Sequence, residues 1–480
     1  MTTDTGAKSA GDSLSAFQQK NKSITSFIGH PPGVGWLSAA EFWERFAYYG
    51  MQALLVLYLS HYLFKPGVIE HVWGISPFSH MLESIYGKLD YEALASAVVG
   101  FYTATVYLTP ILGGYIADRL IGRTATVAIG AGTMAAGYFL LCLEPTFLIG
   151  IFALLFGVGC FKGNIAAQVG DLYTIDDARR ADGFQIYFLG IQMAVIIAPL
   201  ITGTLGEKVG WNWGFASAGV GILLGLVIYL FGRHAYPPEK LQRKGEVETV
   251  VRPPLTSRDW TVVAILVLLL PVLALALVSN QQIFNAYLIW SEKYYDLAMF
   301  GGTMPTSWMF SIDAVVSTFL MIGVIAFWRW YGRHWPEPSE ITKIVIGTAI
   351  SACAPLWLAG ISQIVVQTGH PVPLWWCIGF HVINDTGFSM VLPVGLALYS
   401  RAAPKGLGGI MIAVYYIHLF IGNNLVGYLG GLLDKMSAVQ FWLLHAAIMG
   451  VAAVLLLLAR VFLGHFLAPT KADMAGEAVA

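Results

Sequence analysis

The stretch TVVAILVLLLPVLALALV, residues 261–278, carries one hydroxyl at its first position and no charge anywhere. A helix needs about 20 predominantly apolar residues to cross the hydrocarbon core of a bilayer, and this run nearly supplies them by itself. Working outward along the chain, runs of the same kind recur at Leu443–Ala459 and from Phe147 through Gly159 and beyond. They account for a composition that is 57% hydrophobic and only 11% charged, where a soluble domain has roughly 25% charged residues. Lipid offers no water to open backbone groups, so many such runs in one chain imply a helical bundle. The fold class expected is an all-α membrane protein with twelve transmembrane helices.

Helices are predicted near 36–64, 92–118, 124–143, 147–172, 181–205 and 212–232, then near 260–290, 306–331, 341–366, 371–400, 408–432 and 438–466. Between the two sets lies a polar break from Arg233 to Arg258 that contains Pro237-Pro238 and Pro253-Pro254. The expected organisation is a cytoplasmic disordered tail (1–30), an N-terminal six-helix bundle (31–232), a cytoplasmic linker (233–259), a C-terminal six-helix bundle (260–466) and a cytoplasmic tail (467–480). Two sets of six spans are the layout of a two-bundle carrier. Lys and Arg set the orientation. With both termini inside, cytoplasmic segments hold 20 of the 27 cationic residues and outer loops hold Lys65, Lys88, Lys208, Lys293 and Lys435. The expected location is therefore a cell membrane, multi-pass with both ends cytoplasmic, of the bacterial inner-membrane type.

A net charge of −1 gives no reason to expect nucleic acid as a partner. Cys142, Cys160, Cys353 and Cys377 sit singly inside apolar runs, which argues against a disulfide framework or a zinc site. There is no His-Glu-x-x-His and no Gly-x-Ser-x-Gly, so an intramembrane enzyme of either type is not expected, nor is a cofactor or a metal. The partners expected are a small solute, protons and the lipid bilayer, with a monomeric chain.

The two charged side chains of the cationic set that remain, Arg45 and Lys162, fall within spans. A charge at mid-bilayer costs about 2.5–3.5 kcal/mol on insertion scales, so it persists when paired and facing a bundle interior. The first span reads Glu41-Phe42-Trp43-Glu44-Arg45-Phe46-Ala47-Tyr48-Tyr49-Gly50. Positions 41, 44, 45 and 48 are spaced three and four apart and share one helical face. The fourth span adds Lys162, which the spare carboxylate of that face can offset. The alternative is a salt-bridge cluster that only joins two helices, but buried ion pairs are a poor source of stability and intramembrane charges mark pathways.

At these residues the sequence resembles the proton-dependent oligopeptide transporter family, a branch of the major facilitator superfamily. Residues 41–50 match its first-span pattern Glu-x-x-Glu-Arg-Phe-x-Tyr-Tyr-Gly completely. Asp118-Arg119-Leu120-Ile121-Gly122-Arg123 is similar to the superfamily's short cytoplasmic motif after the second span. Phe161-Lys162-Gly163-Asn164 resembles the family's Phe-Lys-Pro-Asn, and Pro393-Val394-Gly395 and Gly422-Asn423-Asn424 resemble its tenth and eleventh spans. The resemblance implies the major facilitator fold and import of di- and tripeptides by proton symport through alternating access. It implies that Arg45 and Lys162 attract the peptide carboxylate, that Tyr48, Tyr49 and Tyr107 line the cavity, and that Glu41 and Glu44 share proton coupling with Lys162. Asp118 and Arg119 become cytoplasmic gate contacts. The chemistry agrees: a guanidinium fork suits a carboxylate.

The departures from the family pattern are specific. Its tenth-span glutamate falls on Phe388, its seventh-span acid on Asn280, before Gln281-Gln282, and its fifth-span asparagine on Gln192. Asp313 aligns with an asparagine that in relatives contacts the peptide amine, so it is the expected replacement acid. His381 and Asp385 lie four apart beside Asn384 and form a proton-handling pair; the alternative is that Asp385 pairs with a neighbouring helix. Proton coupling is thus expected of Glu41, Glu44, Arg45, Lys162, Asp313 and Asp385. Substrate contact is expected of Arg45, Tyr48, Tyr49, Tyr107, Lys162, Gln192, Asn280, Gln281, Asp313, Asn384 and Tyr415. The missing tenth-span glutamate keeps open a carrier of another small solute, an amino-acid derivative or an organic anion.

Overall fold

The structure, a computed structural model, describes residues 10–174, 176–239, 255–299, 301–404 and 407–467. Of the segments expected from sequence, the first nine residues, positions 240–254 of the linker and the tail beyond 467 lie outside the described residues. Among the described residues, eleven helical stretches are long and apolar enough to cross a membrane: Tyr91–Ile121, Arg123–Leu141, Glu144–Asp171, Arg179–Val209, Trp211–Ala235, Ser257–Ala276, Trp308–Gly332, Glu340–Thr368, Trp376–Ala402, Gly408–Gly430 and Ala438–Leu467. They are spans 2 to 12. The helix Pro32–Tyr58 is the first span; it has the length, and Glu41, Glu44 and Arg45 lower its hydropathy.

Local signals explain several helix ends. Span 1 opens on Pro31-Pro32, where a missing N–H costs nothing. Asp90 caps span 2 by accepting from the Ala93 N–H at 2.9 Å. Thr256 and Asp259 form a reciprocal capping box at the start of span 7. Span 3 is capped from a distance: the Glu239 carboxylate accepts from the N–H groups of Arg123 and Thr124 at 2.7 and 2.8 Å.

Two expectations change. The segment expected as a disordered tail, 1–30, holds a helix, Ala10–Lys22. Its polar side chains explain the order: Gln18 and Asn21 donate to the carbonyls of Asp171 and Leu172, and Lys22 pairs with Asp176 at 2.9 Å. The Lys22 ammonium holds the exposed Asp176 carboxyl down at about 2. The seventh span, expected as one helix over 260–290, is three: Ser257–Ala276, Val278–Gln282 and Ala286–Tyr294. Ser279, Asn280, Gln281, Gln282 and Asn285 cluster at the breaks and are buried. Gln282 Oε1 accepts from the Ala286 N–H at 3.2 Å, the kind of side-chain substitution that lets a helix break inside a membrane.

The chain forms two compact units: Met1–His80 with Leu108–Glu248, and Met81–Tyr107 with Thr249–Ala480. The first part of the second span therefore belongs to the second unit and not, as the boundary at 232 predicts, to the first. A close backbone approach is the reason. A Cβ placed on Gly100 would lie 2.5 Å from the Gly427 Cα and 2.8 Å from the Asn423 carbonyl oxygen. Small residues permit this contact between spans 2 and 11, as they do generally where apolar helices meet in lipid. Within the second unit Leu266, Leu269, Leu273, Tyr399 and Leu456 belong to one buried core cluster.

Gly100→Ala forces backbone against backbone, and overpacking of this kind costs about 1–3 kcal/mol. Gly100→Ala should therefore lower the thermal unfolding midpoint in detergent. Gly323→Ala, on span 8 with nothing within 4 Å of the added carbon, should leave it unchanged or slightly higher. Equal midpoints for the two variants would refute the close-contact account.

Candidate functional site

In the first unit, span 1 presents its charged face as the spacing predicts. Arg45 Nε lies 2.7 Å from Glu41 Oε1 and 2.9 Å from Glu44 Oε2. The guanidinium is only 4% exposed and both carboxylates are buried. Nε carries one hydrogen, and it is donated to Glu41. Glu44 is held by charge, and among the described residues neither of its oxygens accepts a hydrogen bond. Lys162 is half-buried on span 4 and interacts electrostatically with Glu44, Glu41 and Arg45. The cluster thus sets two cations against two carboxylates, with one carboxylate supported by a hydrogen bond and the other not.

Aromatic side chains close around it. The Arg45 guanidinium lies 5.7 Å from the Tyr48 ring centre, and Tyr48 meets Tyr49 edge to face at 5.1 Å. Two tyrosines that the sequence reading did not select also belong here. Tyr187 on span 5 is within hydrogen-bonding reach of Glu41. Tyr138 on span 3 interacts electrostatically with Glu44 and Arg45, and its buried hydroxyl has no hydrogen-bond partner. Their signal was weak: each is the single tyrosine of its span, a pattern that ordinary packing also produces. Gln192 stands half-buried on the same span as Tyr187.

At one end of the same unit, Asp118 lies 3.5 Å from Arg123, which also pairs with Asp171 of span 4 at 2.6 Å. Arg119, the other residue expected at a gate, is exposed.

In the second unit the polar residues gather from three spans. His381 Nδ1 lies 2.9 Å from Asp313 Oδ1, and His381 Nε2 lies 3.2 Å from the Tyr287 hydroxyl. One donor atom from each of Asp313, His381 and Asp385 fall within 4.8 Å of one another. Asn384 Nδ2 donates to Asp385 Oδ1 at 3.0 Å. The expected pair 381 and 385 is thus joined by Asp313 of span 8 and by Tyr287 of span 7, a residue the sequence gave no reason to choose. Asn280 and Gln281 are buried and bonded to each other, Gln281 Nε2 donating to Asn280 Oδ1 at 3.0 Å. Tyr107 stacks on Tyr416 with ring centres 6.4 Å apart. Tyr415 is fully buried and donates to the Leu392 carbonyl at 2.7 Å, so the exposed ring of that pair is Tyr416.

The sequence matches the family model described as Major Facilitator Superfamily over residues 46–427. It is 25% identical to the di-/tripeptide transporter of Lactococcus lactis subsp. cremoris, over 92% of this chain and 98% of that one. The structure is similar, with a TM-score of 0.80 at 21% identity, to a crystal structure of peptide transporter POT in complex with sulfate, covering 96% of this chain and 99% of the other. A POT family transporter in complex with 5-aminolevulinic acid matches at a TM-score of 0.73 and 22% identity, covering 93% and 99%.

Arg45→Ala leaves two buried carboxylates facing only Lys162. Removing one partner of a buried ion pair costs about 3–5 kcal/mol, so the unfolding midpoint should fall clearly. Combining Arg45→Met with Glu41→Gln should recover most of that loss, because Glu44 is then left against Lys162 with no charge in excess. A double variant as unstable as Arg45→Ala would mean that Arg45 stabilises by packing.

Proposed function

The chain belongs to the Major Facilitator Superfamily, and from that premise we propose that it is a proton-coupled symporter importing di- and tripeptides by alternating access. The observation that carries the reading is the arrangement on span 1: Arg45 between Glu41 and Glu44, with Lys162 beside them. Arg45 and Lys162 attract the peptide carboxylate, since a charge-assisted bond to a carboxylate is roughly twice as strong as a neutral one. An arriving carboxylate competes with Glu44 for the two cations. Glu44, which accepts no hydrogen bond, then gains most by taking up a proton. Substrate and proton enter together for that reason. Asp313 faces the amine end of the peptide, supplying the anionic pole that Phe388 does not. The similarity to a named di-/tripeptide transporter supports this choice of substrate.

A second reading has one observation in its favour. A structurally similar transporter binds 5-aminolevulinic acid, a small zwitterion with a carboxylate and an amine. A chain without the tenth-span glutamate suits such a solute if the second pole tolerates a shorter ligand.

Proteoliposomes containing the purified chain should accumulate a dipeptide when the outside is acidic and lose accumulation when a protonophore is added. Accumulation that survives the protonophore, or that requires sodium, would sink the proton-coupled reading. A preference for 5-aminolevulinic acid over dipeptides would favour the second reading.

Lys162→Ala should abolish accumulation while leaving the unfolding midpoint within a few degrees. Glu44→Gln should lose accumulation but keep exchange of labelled for unlabelled peptide. If Glu44→Gln loses exchange as well, Glu44 serves binding or structure and does not handle the coupled proton.

A further inference from the structure

We infer that the buried cluster of Asp313, His381, Asp385 and Tyr287 is a second proton-binding site, in which Asp385 carries the proton and Asp313 is its ionised partner. His381 stands between two groups, its Nε2 3.2 Å from the Tyr287 hydroxyl and its Nδ1 2.9 Å from Asp313 Oδ1. With Asp313 as the ionised partner, Nδ1–H donates to its carboxylate, and Nε2 of the neutral ring accepts from the Tyr287 O–H. Asp385 also accepts one bond, from Asn384 at Oδ1, but it is fully buried where Asp313 is partly exposed, and among the described residues its Oδ2 has no hydrogen-bond partner.

Two carboxylates this close do not both ionise in a water-poor site; they share a proton, as carboxyl dyads do. The oxygen without a donor is the one to carry it. A hydrogen on the Asp385 carboxyl has an acceptor near at hand in Asp313, since one oxygen of each lies within 4.8 Å of the other. Other elements packed on span 10 do not offset the charge. Span 9 contributes Ser351, which bonds the Asn384 carbonyl at 3.0 Å, and span 11 contributes Tyr415 and His418, which are turned to backbone carbonyls. From span 7 the facing titratable groups are Tyr287 and Tyr295, and span 10 itself adds Cys377. None of these supplies a permanent cation.

The route for the proton follows exposure. His381 and Asp385 are shut off from solvent, whereas the Asp313 side chain is 16% exposed. A proton arriving from water is received by the Asp313 carboxylate and passes to Asp385 Oδ2, leaving Asp313 ionised again. His381 and Tyr287 are positioning residues that hold Asp313 in place. Asp385 thus remains able to hold a proton while Asp313 faces an amine, and this site adds one proton to whatever Glu44 contributes.

The test has a spectroscopic arm and a transport arm, and only the second rests on the peptide-import reading. Infrared difference spectra of the purified chain at neutral pH should contain the carbonyl stretch of a protonated carboxyl. Asp385→Asn should remove that band, Glu44→Gln should leave it, and His381→Gln should shift it without removing it. In proteoliposomes, accumulation plotted against the imposed pH gradient should show one fewer proton per peptide in Asp385→Asn than in the parent. A chain that carries no peptide but keeps the Asp385 band would sink the peptide reading and leave this site standing. An unchanged band in Asp385→Asn would overturn the site. Saturable one-to-one binding of zinc chloride that disappears in Asp385→Asn would also overturn it, since a metal holds both carboxylates ionised.

Discussion

Charge is expensive to bury in hydrocarbon, and Arg45 meets that cost by taking two carboxylates on its own helix at 2.7 and 2.9 Å. Much of the first unit follows from this arrangement. Because the guanidinium has only one Nε hydrogen, Glu41 and Glu44 are not equivalent, although they stand on one face of one helix. Lys162 on span 4 balances the acid that Arg45 leaves without a hydrogen bond, and Tyr187 and Tyr138 approach from spans 5 and 3. A face that pairs its charges this way cannot turn toward lipid. It sets the rotation of span 1 within its unit, and side chains from three further spans approach it.

The second unit solves a different problem. Among the described residues no lysine or arginine pairs with Asp313 or Asp385, and hydrogen bonds from His381 and Asn384 stand where a counter-ion would. Its seventh span breaks twice, with amide side chains at the breaks, and Tyr287 stands just beyond them on the short helix Ala286–Tyr294. An unbroken helix would carry Tyr287 onward in a straight register. The breaks instead set it against His381 of span 10. Polar residues that weaken the span as a helix are therefore the same residues that let it serve the cluster.

Each site holds two carboxyls in unlike surroundings. Among the described residues, Glu41 accepts a hydrogen bond from Arg45 and Glu44 accepts none, whereas Asp313 and Asp385 each accept one and differ in exposure, Asp313 being partly exposed and Asp385 fully buried. Unlike surroundings are what give two carboxyls of equal intrinsic acidity different tasks.

The class of the molecule and its spans were legible in the sequence because the cost of exposing backbone to lipid forces long apolar runs, and such runs are visible residue by residue. The charged face of span 1 was legible for the same kind of reason: positions three and four apart meet on any helix, whatever surrounds it. His381 and Asp385 were recognisable as a pair on that ground too. Tertiary structure alone decided what no local spacing encodes. It joined Asp313 to His381 across 68 residues and Tyr287 to His381 across 94. It turned Tyr415 inward while leaving Tyr416 exposed, ordered Ala10–Lys22 against the end of span 4, and drew Met81–Tyr107 into the second unit through the contact of Gly100 with Gly427. Each of these depends on which helices approach and how closely. That is set by side-chain shape summed over whole interfaces, and in spans that are apolar on every face the sequence pattern does not mark which face meets which neighbour.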